Sequence, residues 1–146
     1  MRINSSKVRA LAASVFTAGT LIALSAPPAS AAPTVTFRIL SATDMGWSNV
    51  MVIIDGHVAG TGSWAGDPGD QGSSTGDTII AHDSATDGYG IEVTLDGTRV
   101  ATTRGHNAPY TDRASGNLKE DSKHTMRVCA VKGSYAGCTT IYNLKA

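Results

Sequence analysis

The chain has 146 residues with twelve basic and twelve acidic side chains, 16 glycines and two cysteines. That balance excludes a nucleic-acid reader, which needs a concentrated basic patch and a high pI. It also leaves no run after residue 31 long and apolar enough, roughly 20 residues, to cross a bilayer as a helix.

Residues 1–31 read as a secretory leader. Arg2, Lys7 and Arg9 form a basic start, Ala10 to Ala26 an apolar run, and Ala29-Ser30-Ala31 a small-residue cleavage site. Cleavage before Ala32 is expected to release a secreted, extracellular protein, with residues 32–146 as a single domain and no membrane attachment. Two cysteines in a secreted chain read as a disulfide, Cys129 to Cys138. Without the leader, nine bases remain against twelve acids. Nine of those acids and one base, Arg38, fall in residues 32–97. Solvated faces mixed by strand pairing account for such an imbalance more simply than a dipolar binding surface does.

Val35, Phe37 and Ile39 alternate with Thr36, Arg38 and Leu40, which predicts a first strand. Asn49 to Asp55 is a nearly continuous apolar run, expected to be a central strand covered on both faces. Asp55-Gly56 predicts a hairpin turn, with His57 to Thr61 as its return strand. Gly62 to Asp77 then reads as a long flexible loop carrying Trp64. Asp67, Asp70 and Asp77 in this loop do not match the twelve-residue calcium loop, so no metal is expected. An exposed Trp64 would stack on a sugar or anchor a partner; a buried one would plug the end of a sandwich.

Thr78 to Ala81 is a short strand. His82-Asp83-Ser84 follows it, but adjacent residues of a strand point to opposite faces and do not make a catalytic triad. Gly90–Leu95, Asp96-Gly97 and Thr98–Thr103 form the best hairpin pattern of the first half. Arg104 to Tyr110 packs a cation, an imidazole, an amide and a phenol into seven residues. Thr111 to Ser115 is expected as a short edge strand.

The last segment is the most specific. Setting Cys129 opposite Cys138 places Lys132 opposite Tyr135, with Gly133-Ser134 as a type II′ turn. The same register sets Val128 against Thr139 and Met126 against Ile141, leaving Arg127 and Tyr142 on the outer face. Closing this ten-residue loop contributes roughly 2–3 kcal/mol in the chain-entropy model. The spacing of Leu118, Glu120, Ser122, His124, Met126, Val128 and Ala130 resembles the E–F corner and F strand of fibronectin type III domains. That resemblance implies an immunoglobulin-like β-sandwich. His124 stands where the family has the tyrosine that anchors the corner. More loosely, the chain resembles small secreted actinomycete proteins of unknown function, which implies no activity.

The expected architecture is therefore an all-β, antiparallel sandwich of seven to nine strands without helices, with a small jelly roll or barrel as the alternative. No catalytic motif and no cofactor signature occurs, so the chain is not expected to be an enzyme. The expected function is a non-catalytic binding module for a polysaccharide, a cell-wall polymer or an extracellular protein, acting as a monomer. Trp64, Tyr89, Arg104, His106 and Tyr110 are the candidate binding residues. A small hydrolase inhibitor or a structural surface protein are the alternatives.

Overall fold

The computed structural model describes residues 31–41 and 44–146. The leader reading, residues 1–31, lies outside the described residues except for Ala31. Ala32–Ala146 forms one compact unit. Its strands are β1 (Val35–Ser41), β2 (Trp47–Ile54), β3 (His57–Ala65), β4 (Thr78–Asp83), β5 (Gly90–Leu95), β6 (Arg99–Thr102), β7 (Tyr110–Ser115), β8 (Lys123–Lys132) and β9 (Tyr135–Lys145). One 3-10 turn, Asp70–Gly72, interrupts the β3–β4 connection.

The strands form two antiparallel sheets, ordered β1-β2-β3-β4-β7 and β6-β5-β8-β9. Neither closes on itself, so the chain is an all-β sandwich rather than a barrel. Turn chemistry sets the hairpins. Asp55 and Gly56 both take positive φ, 50° and 83°, as a type I′ turn requires. Gly133 takes φ 54° while Ser134 does not turn positive, which is the type II′ pattern. The β8–β9 register is the one the cysteines dictate: Cys129 opposite Cys138, Lys132 opposite Tyr135, Met126 opposite Ile141. The disulfide joins Cys129 and Cys138.

The core lies between the sheets. Val50, Val52, Ile79 and Ala81 from one sheet meet Ile91, Val93, Val128 and Ala130 from the other, all fully buried. Close approach depends on Gly62. A Cβ there would lie 2.6 Å from Val128 Cγ1 and 2.9 Å from Val93 Cγ2. The absent side chain is the space those two valines fill.

The expected first strand, β1, is an edge strand, and its Ile39 is 49% exposed. Two sequence expectations change. First, β2 is not covered on both faces. Val50, Val52 and Ile54 are buried, while Asn49, Met51 and Ile53 on the opposite face are half-buried. Apolar Met51 and Ile53 hid the period of two. Second, β3 runs on to Ala65, so Gly62, Ser63 and Trp64 belong to a paired strand and the loop begins at Gly66. Small residues that read as loop composition are here the condition for dense packing.

Candidate functional site

Because neighbouring strands are antiparallel, β4, β6 and β8 all end on the same side of the sandwich. The three connections leaving them therefore meet: residues 84–89, residues 103–109 and the Gly133-Ser134 turn. Together they enclose a cavity of 480 Å³, within the range of about 300–1,000 Å³ usual for small-molecule sites.

Two cations hold the three loops together. Arg104 donates from Nη1 to the Gly133 carbonyl at 2.8 Å, and its Nε lies 3.6 Å from Glu92 Oε2. This joins the second loop to the third. Lys132 donates from Nζ to the Asp87 carbonyl at 3.3 Å and sits 4.5 Å from the Tyr89 ring centroid, a cation–π contact. This joins the third loop to the first. Tyr89 also meets Tyr135 edge to face, with centroids 6.0 Å apart. At the root of the second loop, buried Thr103 accepts the Ile91 N–H on Oγ1 at 2.7 Å. These contacts tie the three loops to one another and to the strand beneath them.

Two further features belong to this end of the sandwich. The rings of His106 and Tyr110 stack with centroids 3.8 Å apart and planes 3° apart. Tyr110 pairs across the sheet with Asp83, so the two side chains leave the same face. Asp83 is 2% exposed and lines the cavity. Its Oδ1 accepts the Ala85 N–H at 3.1 Å. Among the described residues no donor reaches Oδ2, and no fully buried side-chain polar atom lacks a partner. Oδ2 therefore opens on the cavity. Burial pushes the Asp83 carboxyl above its ordinary value, with the nearby Asp87 charge adding to the rise; the Ala85 N–H and His82 oppose it.

Four of the five sequence-derived candidates, Tyr89, Arg104, His106 and Tyr110, converge on this end. Trp64 does not. It is fully buried in β3, paired with Ile79 near the other end of β4, and donates Nε1–H to the Lys145 carbonyl at 3.0 Å. It has no open face for a sugar and plugs the sandwich instead. Asp83 and Lys132 were absent from the candidates. The signal for Asp83 was present: in TIIAHD it falls in phase with Ile79 and Ala81, an acid on the core-facing positions of a strand. Lys132 carries no such signal, since its contact with Tyr89 joins residues far apart in the chain.

Elsewhere among the described residues, Ser122, His124 and Asp96 have the outline of a catalytic triad. His124 Nδ1 lies 2.6 Å from Asp96 Oδ2, and His124 Nε2 lies 2.6 Å from Ser122 Oγ. The Ser122 hydroxyl has a single hydrogen, and it is donated to the Lys119 carbonyl. With its hydrogen on the Lys119 carbonyl, the Ser122 hydroxyl is not one activated by His124, whatever tautomer sets the direction of the Nε2 contact. The network braces the turn before β8. His124 reaches the upstream backbone through Ser122, not by a direct bond from its ring. Asp67, Asp70 and Asp77 gather no metal site among the described residues. Asp77 instead accepts the Leu118 N–H at 2.6 Å on Oδ2.

No protein-family model, curated protein or solved structure matches this chain.

Proposed function

We propose that this is a secreted, non-catalytic binding module of the immunoglobulin-like or fibronectin type III-like kind. Its ligand is an extracellular polysaccharide, cell-wall polymer or protein, held at the loop end of the sandwich. The observation that carries this reading is the cavity bounded by three cross-linked loops, which gathers Tyr89, Arg104 and His106, with Tyr110 stacked on His106. Binding residues concentrate on loops that a rigid scaffold positions, and a site fixed beforehand loses less entropy on binding.

Strand connectivity supports the family reading. Taking β3, β4 and β7 as A, B and E, and β5, β6, β8 and β9 as C, C′, F and G, gives the sheet partition of immunoglobulin-type domains. β1 and β2 are then an added hairpin on the A edge. The cavity loops become B–C, C′–E and F–G, the end of the sandwich that such domains use for recognition. The leader-like pattern of residues 1–31 and the disulfide support secretion.

The test is depletion of the purified, oxidised protein from solution by chitin, cellulose, starch and bacterial cell wall, with capture of extracellular proteins in parallel. Binding to one of these, reduced at least tenfold by Tyr110→Ala, is the expected result. Retention of full binding by both Tyr110→Ala and Arg104→Ala would remove the loop end as the site. Failure to bind any polymer or protein would remove the module reading itself.

A further inference from the structure

Resting on that reading, we infer that the loop-end cavity takes a neutral, hydroxyl-rich ligand, a sugar residue of a polysaccharide. In this assignment Asp83 at its floor is the residue that recognises a ligand hydroxyl. The argument begins with what Asp83 costs. A carboxylate in a residue only 2% exposed is partly stripped of water, and what hydration it keeps reaches it from the cavity side. Here only one of its oxygens is repaid by a protein donor, the Ala85 N–H at 3.1 Å. An alternative exists that keeps the fold: an asparagine would satisfy the same N–H without a buried charge. The free acceptor, Oδ2, faces the cavity, so a donor supplied from outside completes the set.

Charge then selects the class of donor. An anionic ligand would bring its charge against Asp83 on the cavity floor. A cationic ligand would meet Arg104 and Lys132, whose heads already lie in the walls, Lys132 Nζ being 3.1 Å from where a Cβ on Gly88 would be. Each cation already places one N–H on a loop carbonyl, and Arg104 also lies beside Glu92, so part of their charge is taken up within the walls. A neutral donor pays neither penalty. Shape agrees. Glycines 88, 90, 105 and 133 line the cavity, and at those four positions its wall presents backbone rather than side chain. Such a wall suits a polyol and gives little to a hydrocarbon. His106 lines the cavity with the Tyr110 ring stacked on it at 3.8 Å, and this aromatic pair is the surface assigned to an apolar sugar face.

The experiment is a ¹H–¹⁵N titration of the full chain, disulfide formed, with methyl glucoside, cellobiose and N,N′-diacetylchitobiose. The same titration is run on Asp83→Asn. That substitution keeps the shape and the bond to Ala85 but turns an NH₂ donor toward the cavity. Chemical-shift changes confined to residues 84–89 and 103–108 with at least one sugar, and at least a tenfold weaker response in Asp83→Asn, are expected. Equal affinity of wild type and Asp83→Asn would overturn the role of Asp83 while leaving the module reading intact. No shift at the loop end with any of the three sugars, together with capture of a protein partner, would overturn the sugar assignment and again leave the module reading. Loss of all binding in both assays would remove both. Unchanged amide dispersion of free Asp83→Asn shows that a lost response is not lost folding.

Discussion

Replacing Trp64 by alanine should damage stability and spare recognition. Trp64 is fully buried, packs into the core cluster, lies 6.3 Å from the His124 ring centroid, and donates its indole N–H to the Lys145 carbonyl at 3.0 Å. Truncating a buried tryptophan to alanine costs about 3–5 kcal/mol, from lost transfer energy and the cavity left behind. Against a total stability of about 5–15 kcal/mol for a domain of this kind, that is a large share. At roughly 4 °C per kcal/mol for a unit of this size, the midpoint falls by about 12–20 °C. Trp64→Phe separates two contributions. It keeps an aromatic ring in the site but leaves the Lys145 carbonyl without its donor, about 1–3 kcal/mol. Urea unfolding of wild type, Trp64→Phe and Trp64→Ala, with the slope m unchanged, measures both. A loss below about 2 kcal/mol for the alanine variant, under the range for truncating any large buried side chain to alanine, would refute the placement of Trp64 in the core. So would a stable Trp64→Ala that no longer binds a polymer the wild type binds.

Gly62→Ala places a Cβ 2.6 Å from Val128 Cγ1 and should cost about 1–3 kcal/mol by overpacking. The double variant Gly62→Ala/Val128→Ala should lose less than the sum of the two single variants, read from urea midpoints. Burial alone would raise the Asp96 carboxyl. The hydrogen bonds from His124 and the Thr125 N–H, with the charges of His124 and Arg99, outweigh it and hold Asp96 below its ordinary 3.8. Its contribution is therefore present above 3.8 and lost as pH falls through the lower folded-state value. Asp96→Asn should show a shallower loss of stability on acidification, measured by thermal melts between neutral and acid pH. Asp83 has the opposite sign. Its folded-state value is raised by burial, so ionisation disfavours the fold as pH rises above 3.8. Asp83→Asn should keep or gain stability at neutral pH, checked by the same melts, while its ligand response falls.

The C-terminal hairpin was legible because its determinants are local. Two cysteines, a Gly-Ser turn and a period of two fix one register, and a slip by one residue would turn every side chain over. The Asp55-Gly56 turn was legible for the same reason: few residues other than Asp, Asn and Gly tolerate two consecutive positive φ angles. β3 was misjudged because glycine and serine weigh toward loop in composition, whereas Gly62 is small so that Val128 and Val93 can approach it. Trp64 followed from that error. A tryptophan beside glycines reads as a loop residue until the strand carrying it is known to be paired on both sides.

Chemistry-bearing loops were named from sequence as separate stretches, Tyr89 on one and Arg104 to Tyr110 on another. Their meeting required the order β6-β5-β8-β9 against β1-β2-β3-β4-β7, which no local pattern encodes. The sequence by itself determined the all-β class, the disulfide, the turn types and the residue types available for recognition, because each depends on neighbours a few positions away. Only the tertiary structure decided that Trp64 is core and that two cations close the loop end. It also decided that Asp83, unremarkable between His82 and Ser84, has one oxygen on a backbone amide and the other on a cavity. Those outcomes depend on strands distant in the chain lying side by side.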